Sequence, residues 1–316
     1  MGNLLISPLI AVIALAAGLW LMIFSSKKAI DHSIIVATAF NIPPLVIGVV
    51  LVAFGTDLPE IVNSVVSSYL GHADINIGDS MGSVLSQMTL VFGILPFVGE
   101  LIRLKRREIL VIGSCLILSL VFLYVIFDKG SFTRVDALFM ILSLGLFTTI
   151  ISSSVAKEDF EVPKKEISNQ KWLHLLFVLI SLIGVGLGSY FVVESIITLA
   201  QEIRIPEYFI SFFIVGIGTS LPELIVDITA IRKKQFNIAI GDILGSCLVD
   251  ATLSIGIGQF LFPQPVSADL ASETILYIMV VAVLVTTILA IRRKLDRKMG
   301  VFLILMYLLS YIFLFV

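Results

Sequence analysis

An all-α membrane protein of ten transmembrane helices, arranged as two inverted five-helix repeats with helices 2 and 7 broken, is the fold this sequence predicts. Three observations carry that expectation. First, 58% of the 316 residues are hydrophobic and only 14% charged, with a mean hydropathy of +1.09, far outside the range of soluble domains. Second, Gly55-Thr56-Asp57-Leu58-Pro59-Glu60 returns as Gly218-Thr219-Ser220-Leu221-Pro222-Glu223. The same offset of 163 carries Gly78-Asp79 onto Gly241-Asp242, Gly82-Ser83 onto Gly245-Ser246 and Thr89-Leu90 onto Thr252-Leu253. One offset held over that length marks an internal repeat. Third, the Lys and Arg residues fall on alternate inter-helix loops.

Taken in order, apolar runs long enough to span a bilayer occur at about 4–26, 33–70, 75–99, 109–127 and 135–155. Five more follow at about 172–201, 205–231, 237–262, 270–291 and 300–316. Residues 1–156 therefore form the first repeat, with helices 1–5, and residues 172–316 the second, with helices 6–10. The charged stretch 157–171, with Pro163, is the linker between them. No basic residue precedes the first run, which is longer than a signal-peptide core and lacks a convincing cleavage site, so it reads as a retained helix.

Orientation follows from the cations. Loops after helices 1, 3, 5, 7 and 9 hold Lys27 and Lys28, then Arg103 to Arg107, Lys157 to Lys171, Arg232 to Lys234, and Arg292 to Lys298. The opposite side receives only Lys129, Arg134 and Arg204 of the 21. This predicts a multi-pass protein of the cell membrane with both termini outside and the helix 5–6 loop cytoplasmic. An odd number of helices per repeat inserts the second repeat upside down relative to the first.

Pro59 and Pro222 each interrupt an apolar run, where proline removes a helix hydrogen bond and clashes with the preceding turn. Carbonyls freed at membrane depth are tolerated only inside protein or beside a water-filled cavity. Each proline is followed by an acid, Glu60 or Glu223, and a carboxylate at mid-membrane costs about 2.5 to 3.5 kcal/mol on insertion scales. Every Lys and Arg belongs to a loop, and His32, His72 and His174 read as residues of helix ends, so a proton or a metal ion is left as the neutraliser. Around these acids the repeat gathers further oxygen donors. They are Thr56 and Thr219, Ser83 and Ser246, Gln87 and Asp250 one turn beyond those serines, and backbone carbonyls near Ala53 and Gly216. Such a hard-oxygen set suits Ca²⁺ and Na⁺, whereas zinc would call for His or Cys.

Gly-Thr-Ser-Leu-Pro-Glu followed by Gly-x-x-x-Gly-Ser resembles the alpha repeats of the calcium/cation antiporter superfamily, especially prokaryotic sodium/calcium exchangers, and the resemblance covers nearly the whole chain. It implies alternating access in which Ca²⁺ and Na⁺ compete for one central cluster, with no resident cofactor. By this resemblance Glu60 and Glu223 are the Ca²⁺ carboxylates, while Thr56, Thr219, Ser220, Ser83, Ser246 and Asp250 line Na⁺ positions. Several residues depart from the pattern. Asp57 stands where a serine is usual, Gln87 where an asparagine is usual, Asp79 and Asp242 where an asparagine is frequent, and Asp227 where a small hydroxyl is usual. Asp79 and Asp242 are expected to be helix caps. Asp57 adds a carboxylate within a turn of Glu60, and neighbouring acids raise one another's affinity for protons, which brings H⁺ in as an exchanged ion.

Other classes fit less well. A net charge of −2 and a pI near 5.9 give no basic field for nucleic acid, and the lipid bilayer is the expected surroundings. No phosphate-binding Gly-x-x-x-x-Gly-Lys-Ser/Thr loop supports an ATP-driven pump. An intramembrane aspartyl protease would want Gly-x-Gly-Asp, but Asn76 and Ala239 occupy the first position, and Pro-Glu would go unexplained. A passive channel is the third alternative, separable by its indifference to a Na⁺ gradient. Ca²⁺/H⁺ exchange ranks below Na⁺/Ca²⁺ exchange, because the Ser-Leu before the second proline differs from the Asn-Ala of that branch. Cys115 and Cys247 show no pairing pattern and read as small buried side chains.

Overall fold

The computed structural model describes residues 8–39, 56–99, 101–154, 171–232 and 236–315. Helix α1 (Pro8–Ala39) runs through Lys27 and Lys28. The expected loop after helix 1 is therefore helical, because nothing in that sequence breaks a helix and both lysines are exposed on its surface. Residues 40–55, with Ala53 and Gly55, lie outside the described set, and α2 (Leu58–Leu70) carries Pro59 and Glu60 in its first turn. Proline at the start of a helix loses no bond, since that amide has no intrahelical partner.

After Gly71, whose positive φ closes α2, come α3 (Ala73–Ser86), a π-helical turn (Gln87–Val91) and α4 (Phe92–Val98). Strand β1 (Ile102–Arg103), α5 (Arg106–Asp128) and α6 (Arg134–Ser154) follow. The rest is α7 (Lys171–Ile203), α8 (Glu207–Ile210), a second π turn (Ser211–Val215), α9 (Gly216–Thr219) and α10 (Leu221–Arg232). Then come α11 (Phe236–Val249), a third π turn (Asp250–Ser254), α12 (Ile255–Leu261), α13 (Ala268–Arg292), β2 (Lys294–Leu295) and α14 (Arg297–Phe315). Among the described residues, nine helical stretches are long and apolar enough to cross a membrane.

Burial sorts these stretches into an interior and a rim. Of the most apolar window in Ala73–Val98 and in Ala239–Leu261, 78% and 72% is buried, against 33% in Pro8–Ala29 and in Trp172–Ile203. The motif-bearing helices are thus the interior, and α1 with α7 faces outward. Those two long helices lie against each other where a Cβ added to Gly18 would fall 2.9 Å from the Gly188 carbonyl oxygen. Small residues permit that approach, which drives helix association when lipid removes the hydrophobic incentive. On the other flank, α5 and α13 join α3, α11 and α14 in the largest apolar cluster, with Phe92, Leu116, Ile243 and Leu303 fully buried. Cys247 is buried there and Cys115 in a smaller cluster with Phe147 and Leu248, and both are unbridged.

Candidate functional site

Backbone geometry at the two Pro-Glu motifs is nearly identical. Asp57 has φ −77° and ψ 4°, and Ser220 has φ −78° and ψ 2°. Each residue sits just outside the helix that begins at the following leucine, and its carbonyl accepts the amide one turn on, Ile61 at 3.0 Å and Leu224 at 3.2 Å. Glu60 and Glu223 therefore project from the first turns of α2 and α10, where the helix dipole favours a negative charge.

Close backbone crossings bring α3 to this point. A Cβ on Gly82 would meet the Phe212 carbonyl oxygen at 2.0 Å, and one on Gly216 would meet the backbone of Gly82 and Ser83 at 2.7 Å. Only glycine at both places lets α3 pass over the π turn before α9. That contact delivers Ser83, whose hydroxyl donates to the Gly216 carbonyl at 3.2 Å and meets the Thr219 hydroxyl at 3.3 Å. Ser86 and Ser220 donate to the same carbonyl at 3.3 and 2.7 Å. The Gly216 carbonyl, expected to be bare, thus carries three hydroxyls here.

Asp79 is not a helix cap. It lies inside α3, where its Oδ2 accepts the Asn63 amide at 2.6 Å and its Oδ1 accepts the Thr219 hydroxyl at 2.9 Å, while Ser189 of α7 holds Asn63 by a 3.0 Å bond. Asp242 likewise lies inside α11. The capping expectation fails because these helices start earlier than the Gly-Asp pairs suggested, at Ala73 and Phe236. Asp227, left out of the expected site, is fully buried and interacts with Asp242.

Gln87 and Asp250 meet, the amide donating to Oδ2 at 3.3 Å, and each opens a π-helical turn. Such bulges widen a helix by one residue and recur at functional sites. Both oxygens of Glu60, Glu223 and Asp57, together with Asp250 Oδ1, Gln87 Oε1 and Ser246 Oγ, are buried and make no hydrogen bond of ordinary length and angle among the described residues, although Ser246 lies near Asp57, Thr219 near Glu60 and Ser254 near Asp250. These acids lie within electrostatic range of one another, Glu223 with Glu60 and Asp57, and Asp250 with Glu60 and Asp57. Thr56 is buried beside them. No Lys, Arg or His is among the buried described residues. No three of the described His, Cys, Asp and Glu side chains converge tightly enough to hold a metal by themselves, so a cation here must also draw on hydroxyl, amide and carbonyl oxygens. Ala53 lies outside the described residues.

The histidines sit elsewhere. His72 precedes α3 and pairs with Glu207 at 2.8 Å, while His32, inside α1 rather than at its end, meets His174 at 2.9 Å. Asn63, Ser86 and Ser189 were missed by sequence reasoning. Their counterparts at the repeat offset of 163 are Val226, Val249 and Ser26, so a search for shared positions passes over the first two. A polar stripe at Asn63, Ser64, Ser67 and Ser68 on an otherwise apolar helix was the available signal.

A family model described as sodium/calcium exchanger protein matches residues 10–152 and 173–316. The putative antiporter CaxA of Alkalimonas amylolytica is 26% identical over 95% of this chain and 97% of its own length. A solved structure of the sodium-calcium exchanger NCX_Mj, soaked with Na⁺ and Sr²⁺, is 25% identical with a TM-score of 0.62, covering 97% of this chain and 99% of that one. The H⁺/Ca²⁺ exchanger CAX superposes with a TM-score of 0.78 at 16% identity, covering 96% of this chain and 82% of that one, a likeness of fold alone.

Proposed function

Because this chain belongs to the sodium/calcium exchanger family, we propose that it is a secondary active antiporter, a transporter and not an enzyme, exchanging Ca²⁺ for Na⁺ by alternating access at the buried carboxyl cluster. The carrying observation is charge without counter-charge. Glu60, Glu223, Asp57 and Asp250 are buried, their carboxyls hold oxygens without close donors, and among the described residues no cationic side chain is buried with them. Removing an ionised carboxylate from water costs several kcal/mol even after relaxation, so mobile cations must accompany these acids. Glu60 and Glu223 are assigned to Ca²⁺. Thr56, Thr219, Ser83, Ser220, Ser246, Gln87, Asp250 and the Ala53 carbonyl complete the shell and line Na⁺ positions, while the Gly216 carbonyl, already accepting hydroxyls, holds Ser83 and Ser220 in place. Calcium accepts six to eight such oxygens in flexible geometry.

In this reading residues 1–156 and 172–316 are inverted repeats joined by a cytoplasmic linker, 157–171. Helices 2 and 7 are discontinuous at Asp57 and Ser220, and both termini lie outside. Support comes from the two matched segments and from the equal backbone angles at the two motifs. Each ion biases the inward and outward states only by its differential affinity for them. Since the same carboxyls balance either load, Ca²⁺ and Na⁺ exclude each other and their fluxes couple.

The test is ⁴⁵Ca²⁺ uptake into proteoliposomes. An outward Na⁺ gradient should drive uptake in the wild type, and Glu60→Gln and Glu223→Gln should each reduce it to background, about a hundredfold or more for a group acting directly on the ion. Uptake unaffected by the Na⁺ gradient would refute the coupling. A second reading, exchange for H⁺, is favoured by Asp57, a buried acid among other acids with only the Ser246 hydroxyl near it as a donor. Uptake driven by a pH gradient without Na⁺ would support it.

A further inference from the structure

Strands β1 and β2 pair antiparallel, Ile102 opposite Leu295 and Arg103 opposite Lys294, and the Leu104 amide donates to the Arg293 carbonyl at 3.0 Å. Ile102 and Leu295 are fully buried, and strand alternation turns Arg103 and Lys294 outward. Two basic runs distant in sequence, Arg103 to Arg107 and Arg292 to Lys298, thereby become one surface. Its two described acids are engaged. Glu108 pairs with Lys105 at 3.2 Å, and Asp296 pairs with Arg292 at 2.8 Å and Lys294 at 3.6 Å. Arg103, Arg106, Arg107, Arg293, Arg297 and Lys298 are exposed, and none has an ion pair among the described residues.

The placement also runs against local electrostatics. Arg106-Arg107 open α5 and Arg297-Lys298 open α14, although a helix N-terminus is a centre of positive potential that favours anions. Membrane insertion asks for cations on one side of the bilayer, but not for gathering them into a single patch by a β-ladder. At its margins Leu101, Ile291 and Val301 are exposed, which sets the patch at the edge of the apolar belt, at the depth of lipid headgroups.

We propose that this β1–β2 platform docks the phosphate groups of anionic phospholipids in the adjoining leaflet. Charge complementarity selects the occupant. Guanidinium groups match phosphate oxygens in a two-pronged geometry, and juxtamembrane basic clusters draw anionic lipid.

Native mass spectrometry of protein extracted from vesicles of phosphatidylcholine with about one-fifth phosphatidylglycerol tests this directly. Wild type should retain phosphatidylglycerol above its share of the bilayer. Arg103→Gln/Arg106→Gln/Arg297→Gln should lower retention about threefold or more, whereas Lys27→Gln/Lys28→Gln, on exposed helix α1, should leave it unchanged. Equal retention by the triple variant, equal loss in the α1 variant, or displacement by added inorganic phosphate alone would overturn the proposal. Should the triple variant fail to elute as a monodisperse species, Arg103→Gln and Lys298→Gln singly should each show partial loss, and no loss in either overturns it.

Discussion

Asp79 and Asp242 occupy matching places in the repeated sequence, yet their surroundings differ. Asp79 receives the Asn63 amide and the Thr219 hydroxyl at 2.6 and 2.9 Å. At the position matching Asn63 stands Val226, and Asp242 meets instead the carboxyl of Asp227, with no amide or hydroxyl donor on either Asp227 oxygen or on Asp242 Oδ2 among the described residues. The pair Gln87 and Asp250 repeats the contrast, an amide in the first copy and an acid in the second. At these two places the first copy supplies an amide, Asn63 or Gln87, and the second supplies an acid that only a cation or a proton satisfies. Equal backbone frames thus carry unequal charge.

That inequality can be broken experimentally, and the largest effect is expected at its centre. Asp250→Asn makes the Gln87–Asp250 pair amide against amide and should lower Na⁺-driven Ca²⁺ uptake about tenfold or more, while Gln87→Asn should stay within about threefold. Comparable losses in both would remove the distinction between the copies. Next in size is stability. Asp79→Ala strands the Asn63 amide and exposes Thr219 to a vacated site, an expected loss of about 1 to 3 kcal/mol. Asp242→Ala should be milder, since it relieves an acid–acid contact; thermal unfolding in one detergent compares the two.

A smaller effect is expected for Asp57→Ser, which restores the residue found at the matching Ser220. Uptake measured across pH should become less pH-dependent, and superimposable profiles would remove the proton from the mechanism. Smallest is Asp296, outside the membrane spans, where a hydrogen bond from the Met299 amide, then Arg292 and Lys294, holds its carboxyl below the usual range. A carboxyl lowered by folding stabilises above its unfolded value and loses that contribution as pH falls through the folded one. Asp296→Asn keeps a capping side chain but loses the ion pairs with Arg292 and Lys294, so it should lower the Tm only slightly at neutral pH, and the difference should shrink as pH falls through the lowered value.

Much of this was legible in the chain. Hydropathy marked the spans, and the boundaries of α5 and α13 fall close to the apolar runs because Arg106 and Arg292 end them abruptly. The helix running through Lys27 and Lys28 was not legible, since two lysines stop an apolar run without stopping a helix. Asp79 was misread because a Gly-Asp pair looks the same at a helix start and in a helix middle, and only the neighbouring helix supplies Asn63.

Composition, the repeat and the placement of charge by themselves determined a helical membrane protein with two Pro-Glu motifs and a store of buried acids, because burying apolar side chains and excluding Lys and Arg from a bilayer are one-dimensional constraints. The tertiary structure alone decided which oxygens remain without donors, that three hydroxyls converge on the Gly216 carbonyl, and that Arg103 lies beside Lys294. Apart from the local Ser220 bond, those facts depend on backbones approaching within contact distance across more than a hundred residues of sequence, and no local pattern encodes such a distance.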